Sequence, residues 1–270
     1  MSSVWMPLIL KWATIGIRTN RNEVLMKGVI LAGGLGKRLE PLTRVTNKHL
    51  LPVYNKPMIF YPLQSLVDAG ITEVLIVTGG NSAVDFLRLL GNGEEFGLKD
   101  LRYAYQSGER GIADALRLAE NFIAEDKFVV ILGDNVTDAS IRPSVEKFRQ
   151  QPSGARVLIK EVPDPERFGV AELKGNKIVS IQEKPKRPKS NYIVTGIYMY
   201  DAMVFDFIRG LKLSQRGELE ITDVNNMYLK KGLLYYDILK GQWTDCGTFQ
   251  SLYRANQIVA RTQKDLRAGV

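Results

Sequence analysis

The sequence predicts an α/β fold in three layers, a mixed and mostly parallel sheet flanked by helices on both faces. Three short, nearly continuous apolar runs at 27–32 (KGVILA), 73–78 (EVLIVT) and 127–132 (KFVVIL) have the pattern of strands buried on both sides. Helical segments lie between them, and this alternation makes neighbouring strands parallel, because a crossover helix returns the chain to the same end of the sheet. From residue 155 onward the strands are joined by short turns, which predicts hairpins and makes the sheet mixed.

The elements follow in order. After the first strand, the pattern over 58–70 predicts a helix closed by Gly70, and the second strand leads to a helix over 83–90 stopped by Gly91. Residues 101–106 are strand-like, and a helix from Gly111 sets Ile112, Leu116, Ala119 and Ile123 on one face. The third buried run ends at Gly133-Asp134-Asn135. Strands are expected at 155–161, 170–173, 177–182 and 192–200, with Lys174-Gly175-Asn176 as a hairpin turn. Helices over 202–209 and 220–231, a strand over 233–239 and a last helix from about Thr248 complete the pattern. No internal repeat or linker interrupts it, so residues 26–260 read as one domain.

Composition narrows the chemistry. The 270 residues are 45% hydrophobic and 24% charged, which excludes disorder, collagen and coiled coil. Cys246 is the single cysteine and His49 the single histidine, so an intramolecular disulfide and a Cys/His zinc site are excluded and histidine-dependent triads nearly so. Lys11, Arg18 and Arg21 outweigh Glu23 in the first 25 residues, and Arg261, Lys264 and Arg267 outweigh Asp265 in the last ten. Half of the net charge of +8 therefore lies in terminal segments. The densest basic run in the body, Lys184-Pro185-Lys186-Arg187-Pro188-Lys189, is too short and too broken by proline to be a polybasic arm, and a small anionic substrate accounts for the cations as well as a polynucleotide would; no nucleic-acid partner is expected.

Residues 1–25 read as an N-terminal extension outside the fold. Their apolar stretch is interrupted by Lys11 and Arg18 and lacks the basic start and small-residue cleavage site of a signal peptide. No run approaches the roughly 18 apolar residues of a membrane span, so no membrane partner is expected. Folding is expected to begin at Met26, residues 261–270 to form a basic C-terminal tail, and the protein to be cytoplasmic.

Ligands of open α/β sheets collect at the carboxyl ends of the strands. There the first strand is followed by Gly33-Gly34-Leu35-Gly36-Lys37-Arg38, where glycines let backbone N–H groups approach a phosphate chain and the two cations add charge. The dinucleotide pattern G-x-G-x-x-G fails at Leu39, and the Walker pattern fails at Leu31 and Arg38. The loop therefore either binds phosphate in a third way or is an ordinary glycine-rich turn.

The segment LAGGLGKRLEPLT, followed by Asn47-Lys48-His49-Leu50-Leu51-Pro52 and Lys56-Pro57-Met58, resembles the sugar-1-phosphate nucleotidyltransferases, and among them most closely the glucose-1-phosphate thymidylyltransferases. The likeness continues in order through Gln106, Gly133-Asp134-Asn135, Asp164-Pro165-Glu166-Arg167-Phe168-Gly169-Val170, Glu183-Lys184-Pro185, Ser190-Asn191-Tyr192, Val194-Thr195-Gly196, Arg216-Gly217-Glu218-Leu219-Glu220-Ile221-Thr222-Asp223 and Trp243-Thr244-Asp245-Cys246-Gly247-Thr248. It implies a Rossmann-like nucleotide-diphospho-sugar transferase fold. It also implies a reaction in which the phosphate of a sugar 1-phosphate attacks the α-phosphorus of a nucleoside triphosphate and releases pyrophosphate. Such a step needs charge neutralisation and alignment more than acid–base chemistry, which suits a chain with one His and one Cys.

By the same resemblance, Leu31, Gly33, Gly34, Gly36, Lys37, Gln106 and Gly111 bind the nucleotide. Gln106 and Gly111 meet the base, and the glycine backbone with Arg38 takes the triphosphate. The implied catalytic set is Arg38, Lys48, Asp134, Lys184 and Asp245, with Asp134 and Asp245 holding Mg2+. On the sugar-phosphate side the likeness implies Asn135, Gly169, Glu183, Lys184, Val194, Thr195 and Arg216. Arg216 reads equally as part of a helix start, with Glu218, Glu220 and Asp223 near its positive end.

Three departures from the family wording stand out. His49 replaces a usual Gln and either hydrogen-bonds ribose or packs beside Lys48; Phe168 replaces a Tyr and removes a hydroxyl near the sugar; Cys246 replaces a Thr as a small packed residue. No hexapeptide repeat of an acyltransferase domain is present, and the C-terminal helices that build a feedback site in longer relatives are not expected. A homodimer or homotetramer is the family expectation. Three functions follow: an Mg2+-dependent glucose-1-phosphate thymidylyltransferase, the same chemistry with UTP or another sugar 1-phosphate, or a non-catalytic nucleotide-sugar-binding regulatory subunit.

Overall fold

A computed structural model describes residues 26–80 and 82–268; the expected extension over 1–25 lies outside them. The first strand, β1 (Lys27–Ala32), is buried almost throughout because it has a strand on either side, Val29 pairing with Leu75 and with Val130. A short ribbon of β2 (Pro52–Val53) and β3 (Lys56–Pro57) follows, then α1 (Phe60–Asp68), β4 (Glu73–Gly79), α2 (Ala83–Leu90) and β5 (Asp100–Gln106). Next come α3 (Ile112–Arg117), α4 (Glu120–Ile123), β6 (Phe128–Leu132), β7 (Asn135–Thr137) and α5 (Arg142–Gln150). The second half contributes β8 (Ala155–Glu161), β9 (Gly169–Lys174), β10 (Lys177–Glu183) and β11 (Tyr192–Tyr200). After these run α6 (Met203–Arg209), α7 (Ile221–Lys230), β12 (Leu234–Ile238), β13 (Trp243–Asp245) and α8 (Phe249–Ala268).

In the main sheet β5, β4, β1 and β6 are parallel neighbours. β11 runs against both β6 and β8, so β8 and β12 return to the direction of β6. The register of β11 creates the site. Ile197 pairs with Ile131, so residues 192–195 overhang the carboxyl end of β6, and there Ile193 pairs with Val170 of β9. The antiparallel β9–β10 hairpin thus becomes a wall beyond the ends of the parallel strands.

Strand alternation sorts the core into two faces. Val29, Leu31, Leu75 and Val77 pack with Leu116, Phe205 and Tyr228 of α3, α6 and α7. Ile30, Ala32, Val74 and Ile76 pack with Leu63, Phe86 and Phe148 of α1, α2 and α5. This is the expected three-layer arrangement.

Local differences have simple causes. The helix expected from Gly111 to Ile123 is broken at Leu118-Ala119, yet Leu116, Ala119 and Ile123 are all fully buried, because the shared apolar face survives the break. The sequence reading passed over α5, whose buried residues are only Val145 and Phe148. It also missed the β7–β13 ribbon, which pairs Asn135 with Asp245 and leaves no local periodicity to read. The last helix runs on to Ala268, so the backbone of the expected basic tail continues α8 as far as that residue.

Candidate active site

A cleft of about 540 Å³ opens at the carboxyl ends of β1, β5 and β6 and is closed on its far side by β9, β10, β11 and α7. Leu31, Gly33, Gly34, Arg38, Lys48, Gln106, Gly111, Asp134, Asn135, Gly169, Glu183, Lys184, Val194, Arg216 and Asp245 line it, bringing together most of the residues singled out in the sequence.

The glycine loop is shaped by what crosses it. Gly36 has φ 72°, and a Cβ there would lie 2.8 Å from Lys48 Cβ; a Cβ on Gly34 would lie 3.3 Å from Lys48 Cε. The glycines therefore let the Lys48 side chain pass the loop, and its Nζ reaches Asp134 Oδ2 at 2.6 Å. Leu39 anchors the loop in a small core with Leu51, Val53, Met58, Val136 and Cys246. Fully burying one leucine contributes about 2 kcal/mol, more than a one-turn helix supplies by itself. Arg38, one residue earlier, is left exposed beside the Asp245–Gly247 turn, where a Cβ on Gly247 would lie 2.9 Å from its Nη2.

Lys37 is exposed and pairs at 3.1 Å with Glu109, which lines the cleft. Glu109 also accepts a hydrogen bond from the Leu35 N–H at 3.1 Å. Burial would raise its carboxyl, but the Leu35 N–H and Lys37 together outweigh this and hold it below the usual range. A carboxylate thus occupies a backbone donor of the loop that the sequence assigns to phosphate. Replacing Glu109 by alanine is expected to lower the KM for the nucleoside triphosphate about threefold to tenfold, since an internal competitor worth roughly 1 kcal/mol is removed. Steady-state kinetics at fixed sugar phosphate check this, and a raised KM contradicts it.

The β7–β13 ribbon carries the acidic pair. Pairing of Asn135 with Asp245 brings Asp134, just beyond β6, into the same cleft as the end of β13. Burial would raise the Asp134 carboxyl, but Lys48 foremost, then His49 and, less strongly, Asn135 outweigh it and hold it down at about 2. Asp245 is pushed upward by burial and then by the charge of Asp134, against Arg167, whose Nη2 lies 3.1 Å from both carboxylate oxygens, and the Gly247 N–H. Two hard oxygen ligands that repel each other across a cleft are a donor set suited to a divalent cation. Mg2+ commonly takes one or two carboxylates and completes its shell with phosphate oxygens and water. Among the described residues no group of three or more His, Cys, Asp or Glu is arranged for a metal, so an all-protein cage is not built.

On the opposite wall, Lys184 adopts φ 42°, a left-handed conformation that costs a lysine on the order of 1 kcal/mol, and its N–H donates to Phe168 O. The side chain is thereby turned to the cleft mouth beside Glu183. Arg216 lies between Glu183, Glu218 and Glu220, at 3.4, 2.7 and 3.3 Å. It faces the cleft and also ties down the start of α7, so both of its readings have a structural basis.

Residues 27–262 match the Nucleotidyl transferase family. The chain belongs to that family. It is 47% identical over 242 residues to a glucose-1-phosphate thymidylyltransferase of Neisseria meningitidis serogroup A, covering 88% of this chain and 84% of the relative. A protein of the same name from Mycolicibacterium smegmatis is 44% identical over 249 residues, covering 91% and 85%. Among solved structures, a Bacillus anthracis protein described as a glucose-1-phosphate thymidylyltransferase and crystallised with sucrose aligns with a TM-score of 0.83 and 55% identity, covering 86% of this chain and 94% of that one. A UDP-glucose pyrophosphorylase complexed with UDP-glucose aligns with a TM-score of 0.78 and 25% identity, covering 88% and 99%.

In this nucleotidyl transferase four of the residues singled out have roles within the protein itself. Thr195 is fully buried and its hydroxyl donates to Leu158 O, so it braces β11 against β8 instead of reaching a ligand. Asn135 is 4% exposed and lines the cleft; its Oδ1 accepts from Gly196 N–H and Trp243 Nε1, and Nδ2 donates one of its two hydrogens to Asp134. It positions the carboxylate and the ribbon. Gly36 and Lys37 are not part of the cleft lining; the first makes room for Lys48 and the second is paired with Glu109.

The sequence reading left out Arg167, Tyr198, Ile221, Thr222, Asn225 and Trp243 as lining residues. Arg167, Ile221, Thr222 and Trp243 stand inside motifs already quoted, D-P-E-R-F-G, R-G-E-L-E-I-T-D and W-T-D-C-G-T, and could have been chosen. Tyr198 and Asn225 carry no local signal.

His49 is 2% exposed, and Asn47 Oδ1 accepts from both its N–H and its Nδ1. Burial first, then Lys48, lowers its pKa from 6.5 to about 3. The folded chain thus keeps a neutral ring that the unfolded chain protonates below pH 6.5, so stability present above that pH is lost as pH falls toward 3. The limiting slope is about 1.4 kcal/mol per pH unit. Thermal melts in chelator between pH 7 and 4 are expected to fall more steeply for the unsubstituted protein than for His49→Gln, and equal slopes contradict this.

Proposed function

We propose that this nucleotidyl transferase makes dTDP-glucose and pyrophosphate from dTTP and glucose 1-phosphate, with Mg2+ as its cofactor. The observation that carries the reading is the set of charges gathered in one cleft: the glycine loop with Arg38, Lys48 paired with Asp134, the second carboxylate Asp245, and Glu183, Lys184 and Arg216 on the opposite wall. Such a set suits two phosphorylated substrates meeting in that cleft.

In this mechanism the glycine-loop N–H groups and Arg38 hold the triphosphate, and Arg38 neutralises the departing pyrophosphate. Lys48 holds the α-phosphate, while Lys184 and Arg216 fix the sugar's phosphate for in-line attack. Glu183, held by the Thr222 hydroxyl, accepts from sugar hydroxyls. Asp134 and Asp245 would hold the Mg2+ ion, which when bound supplies positive charge to the reacting phosphates. No proton needs to move, which agrees with a buried, neutral His49.

UTP in place of dTTP is the second reading, favoured by the alignment with a UDP-glucose pyrophosphorylase. A non-catalytic sensor is disfavoured because a binding module has no use for both acidic residues. Among the described residues no helix is long and apolar enough to cross a membrane. We infer a cytoplasmic enzyme without nucleic-acid or membrane partners, a homodimer or homotetramer, with its domain over 26–260. Pyrophosphate release measured over a matrix of nucleoside triphosphates and sugar phosphates tests the reading. Maximal release is expected with dTTP and glucose 1-phosphate; a UTP maximum supports the second function, and none anywhere supports the sensor.

A further inference from the structure

Gln106 ends β5 and is 6% exposed at the back of the cleft. An amide carries two donor hydrogens on nitrogen and an acceptor oxygen. Both Gln106 Nε2 hydrogens are claimed inside the protein, one by Asp114 Oδ2 at 3.0 Å and one by Gly111 O at 3.3 Å. Asp114 is itself held in place by Arg117, whose Nη2 lies 3.2 Å from Oδ1. The Gln106 oxygen, by contrast, accepts no hydrogen bond from the described residues. It lies over Gly33, where a Cβ would come within 2.7 Å of it.

A carboxylate accepts but cannot donate. Turning the amide over would break both hydrogen bonds and set its oxygen against two acceptors. We propose that Asp114 is a positioning residue that locks the Gln106 carbonyl toward the nucleobase, so that the cleft accepts bases with an imide N–H and rejects cytosine. The inference rests on the nucleotidyl-transfer reading above and deepens it. Thymine and uracil present N3–H, which the Gln106 oxygen can accept. Cytosine presents a bare N3 lone pair at the same edge, so two acceptors would face each other. A site built around one hydrogen bond discriminates strongly against a ligand that cannot make it. Uracil and thymine share this edge, so the lock does not separate UTP from dTTP.

The test uses the full chain with Mg2+ and glucose 1-phosphate, reading pyrophosphate release with dTTP, UTP and dCTP. In the unsubstituted protein dTTP is expected to exceed dCTP in kcat/KM by about 10⁴-fold. In Asp114→Asn the new amide can donate to Gln106, which removes the nearer of the two acceptors opposing the flip and leaves only Gly111 O, so the dTTP/dCTP ratio is expected to fall at least about tenfold. The dTTP/UTP ratio and the KM for glucose 1-phosphate should stay unchanged. A ratio does not depend on the folded fraction, so a merely structural role leaves it unmoved, and a dTTP/dCTP ratio within about twofold of the parent overturns the proposal. A second arm needs no substitution: N3-methyl-dTTP should fall to the level of dCTP in the parent protein, and turnover near that of dTTP overturns the proposal. If the parent releases pyrophosphate with no triphosphate, the functional reading fails and this inference with it; an active parent with an unmoved ratio overturns the role of Asp114 alone.

Discussion

Replacing Asp134 or Asp245 by alanine is expected to lower turnover about a thousandfold or more, a loss near 4 kcal/mol, while the chain stays folded. Each carboxylate is presented by backbone that does not depend on it, the end of β6 and the β7–β13 ribbon. Both side chains keep some exposure to the cleft, 13% and 14%, so water can replace what is removed. The Asp245 carboxyl is raised first by burial and then by the charge of Asp134; that repulsion stabilises nothing in the bare protein and would be relieved by a cation held by both. Rates in saturating Mg2+ together with thermal melts check this. Near-parental rates in either variant remove that residue from the mechanism.

Lys48→Met is expected to lower kcat by about 10²- to 10³-fold and to move the acid limb of the pH–rate profile upward. Lys48 chiefly offsets the burial of Asp134 and holds its carboxyl at about 2. Without that cation burial prevails, the carboxyl rises, and activity that needs the charged form is lost at higher pH as the solution is acidified. Lys48→Arg should not restore the rate, because its stem passes Gly34 and Gly36 at near-contact distance and a planar guanidinium is broader. An unmoved acid limb separates Lys48 from Asp134. In the Lys48→Met/Asp134→Asn double variant the losses are expected to be markedly less than additive, as for groups acting as one unit.

The legible parts of the fold were those whose signal is local. β1, β8, β11 and α2 have the limits read from apolar runs and glycine stops, because strands buried on both faces and capped helices leave unbroken patterns in the chain. Gly33, Gly34, Arg38, Lys48, Asp134, Lys184 and Asp245 were legible through ordered motifs, and the structure collects them in one cleft. Thr195 stands in the same motifs, yet its hydroxyl turns into the sheet toward Leu158 O, since a motif shows that a residue matters but not which way its side chain turns.

What the sequence by itself determined is the layering, the family and the set of charges a phosphate chemistry requires, since periodicity and motif order are properties of neighbours along the chain. The tertiary structure decided the use of each polar group. β11 overhangs β6 only through its register, Arg167 meets Asp245 across 78 positions, and Gln106 is oriented by a carboxylate eight residues on. A hydrogen bond depends on distance and direction between folded atoms, and the donor left unpaired or the oxygen left facing the cleft is fixed only when every neighbour is in place.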